Sequence, residues 1–309
     1  MAFDFSAVAA PFRMQPGLRR IAPCTAPLTP NLPGSAALAE KTAVLRDRPL
    51  SALLAAPGFD AGPAVRALMR QATRDHPDHF SFDGDAAFDA APLGWSVRGA
   101  ELQGHGAPEL GAVLRALPPE WRLAGLLSLA LAEDLAVIDG RDATIPWLAV
   151  CLPSRWAPAD KVGRHFAEVH APVADNQLLV TAAEHLARLV TGDERWERFV
   201  WSIASDARLS QHPDHVPPTH WPADADAGAL AAVATFRTEH QTFIPVPGAQ
   251  QAVFTIHVEC RPLAAAIDTA ERAQALHAAL ASMSPAVLDY RGLAPARDRL
   301  LAWLAARSA

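Results

Sequence analysis

The chain has 309 residues, half of them hydrophobic and 19% charged, with a formal net charge of −6. It is long enough to bury one large core or two small ones without staples, and its acidic balance, with no basic stripe, excludes a nucleic-acid backbone as partner. Its three cysteines, Cys24, Cys151 and Cys260, form no CxxC, which excludes a zinc ribbon, an iron–sulfur cluster held by this chain alone and a c-type covalent attachment, and points to a reducing compartment.

The opening Met1-Ala2-Phe3-Asp4-Phe5 lacks the basic start and apolar run of a signal peptide, so a soluble, cytoplasmic chain is expected. Six prolines between residues 10 and 35 predict an extended arm over 1–35. Apolar spacing predicts helices over Ala36–Leu54, Ala64–Thr73, Pro108–Leu117 and Arg122–Leu131. The apolar run Leu123–Ala132 ends at Glu133-Asp134 and is too short to cross a bilayer. Leu135–Gly140 and Ile145–Leu152 read as two buried strands joined by a polar turn. A helix is predicted from Pro158 to His170, closed by Pro172, and another over Leu178–Val190. After a loop over 206–228, strands are predicted at Leu230–Phe243 and Gln251–Cys260, then helices at Leu263–Ala281 and Ala294–Ala306. Strands adjacent in sequence with short links favour an antiparallel sheet among helices, an α+β fold.

Two stretches carry candidate chemistry. On a helix at 158–170, Val162, Phe166 and Val169 form the core stripe, Lys161, Arg164 and Glu168 lie opposite, and His165 and His170 flank the stripe. A neutral imidazole there suits haem iron, with nearby cations for the propionates; an amphipathic helix with two backbone-bonded histidines fits the same pattern. In Phe236–Phe243, strand alternation puts Arg237, Glu239 and Gln241 on one face, roughly 6.5 Å apart. They suit a polar ligand, or a cationic amine at Glu239, and equally an exposed edge strand with cross-strand charge pairs. The polar face of the next strand, Thr255, His257 and Glu259, either extends the same site or, as is expected, meets solvent. His76/His79 and His212/His215/His220 lie in proline-broken loops and read as solvated; Cys151 reads as a buried, inert thiol.

The ordered set Phe12-Arg13-Met14, Gly17-Leu18, Trp156 with Lys161, Gly163 and Arg164, Val169-His170 with Pro172-Val173, Arg198 with Trp201, Arg237-x-Glu239-x-Gln241-Thr242 and Phe254-Thr255-Ile256 resembles the α-subunit-like family of haem-dependent oxidative N-demethylases. The resemblance implies one haem-binding module over 1–309, with a PAS-like antiparallel sheet core, and helices 263–309 packed on it. It implies haem b as cofactor, and oxidative removal of a methyl group from a small amine such as dimethylamine by O2, with release of formaldehyde. It further implies flavin and iron–sulfur partner subunits as electron donors, and neither nucleic acid nor membrane. Carried over by position, His170 is the axial ligand, Lys161, Arg164 and Arg198 serve the propionates, and Arg237, Glu239 and Gln241 face the substrate. The family's pattern is altered at Ala174, Val200, His240 and Glu259. A haem-binding sensor or carrier without turnover, and a PAS-like interaction module without haem, are the alternative readings.

Overall fold

The computed structural model describes residues 3–308; the first two residues of the expected arm and the last of the expected C-terminal helices lie outside it. Among the described residues the strands are β1 (Arg19–Arg20), β2 (Leu53–Ala55), β3 (Phe80–Phe82), β4 (Ala87–Ala90), β5 (Trp95–Arg98), β6 (Glu101–Gly104), β7 (Asp134–Asp139), β8 (Thr144–Ala149), β9 (Trp196–Ala204), β10 (Thr235–Val246) and β11 (Gln251–Pro262). Seven of them form one antiparallel sheet in the order β1-β9-β10-β11-β7-β8-β2, and β3 to β6 form a separate antiparallel meander.

The hairpin β10–β11 is the longest pairing, with Thr235 opposite Pro262 and Val246 opposite Gln251. Its turn is set by Pro247 followed by Gly248 at φ +75°, closed by Ala249 N–H donating to Val246 O at 3.2 Å. Proline pre-sets the first central position and glycine alone takes the left-handed second one without strain, as a type II turn requires.

Before the large sheet come α1 (Ala36–Asp47), α2 (Pro49–Ala52), α3 (Gly62–Asp75), α4 (Pro108–Ala116) and α5 (Arg122–Ala130). The single helix expected over Ala36–Leu54 is thus two helices and a strand, because Pro49 cannot donate within α1 and Leu53 enters the sheet opposite Ala149. α3 packs against β10 and β11, with Leu68 and Met69 in one buried cluster with Ile244, Val246 and Val253.

The opposite face of the sheet is covered by α6 (Phe166–His170) and α8 (Ala183–Val190), with α7 (Gln177–Thr181) between them. Val169 packs with Ala136, Leu148 and Val150, and Ala187 and Val190 pack with Phe243 and Ala252. The expected helix from Pro158 to His170 is broken. A 3-10 turn at Pro158–Asp160 gives way to Gly163 at φ +72°, and α6 begins only after His165. Val162, Phe166 and Val169 still point inward, carried by a turn rather than by one helical stripe.

The rest is α9 (Ala227–Val233), α10 (Leu263–Ala266), α11 (Ala270–Ala281), α12 (Pro285–Tyr290) and α13 (Arg297–Ser308). The strand expected from Leu230 therefore starts five residues late, because Asp226 caps a helix by accepting from Ala229 N–H at 2.8 Å. Leu276, Leu280, Leu300 and Leu304 share a buried cluster with Trp201 and Phe236, so these helices close one end of the sheet.

Candidate functional site

β10 alternates its side chains between the two faces, and its register with β9 sets Arg198 opposite Gln241 and Val200 opposite Glu239. Arg237, Glu239, Gln241, Arg198 and Val200 therefore share the face that α6 covers. Nearly all of β10 is buried, yet Glu239 and Gln241 keep accessible surface, as do Arg198 and Val200 beside them and His170 above. This is a half-open window in an otherwise sealed face. Two open clefts of about 790 and 570 Å³ lie elsewhere, at the β10–β11 turn and beside the start of α1, and include none of these residues.

His170 stands at the end of α6. Its Nδ1 lies 2.8 Å from Phe166 O, an acceptor only, so Nδ1 carries the proton and Nε2 keeps its lone pair. Burial lowers its pKa to about 4, reinforced by the charges of Arg198 and Lys161 and opposed by the bond to Phe166. The ring is thus a neutral base whose second nitrogen has no partner among the described residues. Asn176 fixes the following turn by donating to His170 O at 3.0 Å and Ala171 O at 2.8 Å. His165, the other histidine of this stretch, is spent as a helix cap, its Nδ1 accepting from Ala167 N–H at 3.1 Å.

Arg198 is half-buried, and the protein around it lowers its pKa while Glu239 alone opposes. Among the described residues its guanidinium has no hydrogen-bond acceptor, although it retains accessible surface. Lys161 is half-buried, its pKa lowered by burial, and it donates to Val169 O at 2.8 Å. Arg164 is exposed and lies near enough to Lys161 for their charges to interact. A neutral imidazole with one free nitrogen, a half-buried arginine without an acceptor among the described residues and a lysine at one edge of an apolar cluster are groups that suit haem iron and propionates, so the residues fit that group.

Arg237 departs from its expected place on the substrate side. It is 1% exposed. Its Nε donates to Ser154 Oγ at 2.8 Å, Nη1 to Arg208 O at 3.0 Å and Cys260 Sγ at 3.5 Å, and Nη2 to Leu209 O at 2.9 Å and Leu152 O at 3.3 Å. Every donor is spent on protein, so it holds two loops to the sheet and has nothing left for a ligand. Glu239 accepts from Ser154 at Oε1 and from Gln241 Nε2 at Oε2, the latter at 2.6 Å. One lone pair on each oxygen remains.

Three neighbours were invisible from spacing alone. Ser154 lies in the loop after β8 and reaches Glu239 only because the fold brings them together. Arg291, at the end of α12, donates to Trp201 O and lies 4.7 Å from the Phe12 ring centre. Burial lowers its pKa to about 10, with Tyr290 and Glu239 opposing and Arg198 adding to the fall. Tyr290 is the chain's single tyrosine, which was a signal available in the composition.

The polar side of β11 also departs from expectation. Thr255 is fully buried and His257 nearly so, on the face away from Glu239, because His257 pairs with His240 and Thr255 with Thr242. There Thr242 and Thr255 hydroxyls lie 2.6 Å apart, and His240 Nε2 meets Glu197 Oε2 at 2.8 Å. His257 Nδ1 lies 3.6 Å from Glu133 Oε1. Cys151 is buried, and burial raises its thiol pKa. Among the described residues no His/Cys/Asp/Glu group has metal-site geometry, and no helix is long and apolar enough to cross a membrane. Residues 36–301 match the sequence model of the family described as haem-dependent oxidative N-demethylase, alpha subunit-like, and the chain belongs to that family.

Proposed function

We propose that this chain binds haem b beneath α6 and uses it to demethylate a small methylated amine oxidatively, with formaldehyde as product. The observation that carries the reading is the state of His170: enclosed, neutral, its Nδ1 committed to Phe166 O and its Nε2 unspent above the half-open window. An imidazole prepared in this way is a ligand waiting for a metal, and its backbone partner fixes both tautomer and ring orientation. Arg198 and Lys161 would meet the propionates, with Arg164 at the rim. The antiparallel sheet with a helix supplying the histidine agrees with the PAS-like core the resemblance implies.

Bound there, haem would supply the oxygen and electron chemistry of methyl oxidation. The chain supplies position and charge. Glu239, with one lone pair free on each oxygen, would receive the ammonium of a secondary amine, and Gln241 would hold that carboxylate in place. Flavin and iron–sulfur partner subunits would deliver the electrons, in keeping with an alpha-subunit description.

Titration of the purified protein with haemin tests the ligand. A red-shifted Soret band is expected, and His170→Ala should abolish it or weaken haemin binding at least tenfold; an unchanged Soret spectrum in that variant rejects the assignment. Formaldehyde released from dimethylamine, O2 and an electron donor separates an enzyme from a sensor, which would bind gas without product.

A further inference from the structure

The hydrogen bonds that meet at Glu239 have only one possible direction. Arg237 is a donor with no acceptor atom, so Ser154 Oγ must accept from its Nε. The single proton of that hydroxyl is then free to point elsewhere, and the neighbour it meets is Glu239 Oε1. On the other side Gln241 turns its amide nitrogen to Oε2 at 2.6 Å. The chain of donors therefore runs from Arg237 to Ser154 to Glu239, closed from the far side by Gln241.

The foundation of this chain is rigid. Asp134, 1% exposed at its side chain, accepts from Cys151 N–H at 3.0 Å and Leu152 N–H at 2.6 Å, and pairs with the buried Lys41 at 3.3 Å. Arg237 takes Leu152 O from the same loop. Across from it, Gln211 N–H donates to Pro153 O at 2.8 Å and Arg155 N–H to Gln211 O at 3.1 Å, bracketing Ser154 on both sides. With five hydrogen bonds holding the backbone on either side of it, Ser154 has little freedom to place its hydroxyl anywhere else.

We infer that Ser154 is a positioning residue for Glu239: it fixes which lone pairs of the carboxylate face the window, and so sets the place of a cationic amine. The inference rests on the reading of Glu239 as the amine's partner. It also gives Arg237 its role, as the donor that orients the serine hydroxyl rather than as a contact to ligand.

Four variants test it: Glu239→Gln, Ser154→Ala, Ser154→Thr and Gln241→Met, each first checked for an unchanged far-ultraviolet circular dichroism spectrum. Ser154→Ala should raise KM for dimethylamine roughly tenfold while kcat changes less than about twofold, because a ground-state binding contact has been loosened. Ser154→Thr keeps the hydroxyl and should restore most of the affinity, which a mere packing role would not predict. If Glu239→Gln abolishes turnover and Ser154→Ala leaves KM unchanged, the positioning role is wrong and the reading of Glu239 stands. If Glu239→Gln leaves turnover intact, that reading falls. An infrared measurement then decides the serine independently of activity. The carboxylate bands of Glu239, isolated as the difference from Glu239→Gln, should move in Ser154→Ala and return in Ser154→Thr; bands that do not move overturn the inference. Gln241→Met, which removes the second donor without adding charge, should also raise KM; an unchanged KM there counts against Gln241 as the group that holds the carboxylate.

Discussion

Arg237 and Arg198 stand on the same face of the same sheet, on adjacent strands, Arg237 sealed and Arg198 half-buried. They differ in what their donors do. All of Arg237's N–H groups reach acceptors within the chain, whereas Arg198 has none among the described residues. Burial alone therefore does not mark a functional arginine. A buried guanidinium with every bond made belongs to the frame, and a half-buried one with its bonds unmade is free to meet an anion.

Replacing Arg237 by Met should have the largest effect on stability. It leaves Leu152, Arg208 and Leu209 carbonyls and the Ser154 hydroxyl without their donor in a closed interior, at a cost of at least about 3 kcal/mol. Urea unfolding followed by tryptophan fluorescence measures it; a loss below about 1 kcal/mol would mean the loops are held by other bonds. Arg198→Met should behave in the opposite way. Stability should change by less than about 1 kcal/mol or rise, while affinity for haemin falls roughly tenfold or more, the worth of a charge-assisted hydrogen bond. Comparable destabilisation by both variants would erase the distinction between them.

This contrast also explains how much of the molecule was legible beforehand. Alternation in β10 put Arg237, Glu239 and Gln241 on one face, and the register with β9 upholds that grouping. What alternation cannot tell is which of the three is spent, since Arg237's acceptors come from residues 152, 154, 208 and 209, distant in sequence and loop-bound. β9 itself was missed: Trp196-Glu197-Arg198-Phe199-Val200-Trp201 has polar residues on both faces, because Glu197 is buried against His240 while Arg198 lines the window. The meander of β3 to β6 was missed because its strands have only three or four residues each, too few for a period to declare itself. His165 and His170 were equally placed until Gly163 broke the turn between Asp160 and Phe166 and gave one ring to a cap and the other to the interior.

The far side of the sheet offers a control, since its histidines are buried for structural reasons. Burial lowers the pKa of His257 to about 4 and also lowers that of His240, against the pull of Glu197. The unfolded chain takes up protons on these rings near pH 6.5, and the folded chain does not until well below. Stability contributed by the neutral rings is therefore present above pH 6.5 and lost as pH falls toward 4. Glu133 acts with the opposite sign, because burial raises its pKa and favours its protonated form as pH falls. Comparing wild type with His257→Gln isolates the imidazole. Between pH 7 and 5.5 the wild type should lose about 1 kcal/mol more than the variant. Equal losses would mean that the His257 ring takes up its proton in the folded protein as readily as in the unfolded chain.

The smallest expected effect comes from His165, and its size is the point. Its ring nitrogen accepts one backbone N–H at the start of α6. Asparagine can accept the same bond, so His165→Asn should cost less than about 0.5 kcal/mol, and His165→Ala about 1 kcal/mol at most. Neither should alter haemin binding, because the nitrogen that would meet iron belongs to a residue more than a helical turn away, fixed by Phe166 O. The two histidines lie five residues apart in one short segment, so the pair of substitutions asks a single question of nearly identical chemistry. Loss of the Soret shift in His165→Ala, with retention in His170→Ala, would exchange their roles and move the candidate site to the surface bridge between His165 and Thr144.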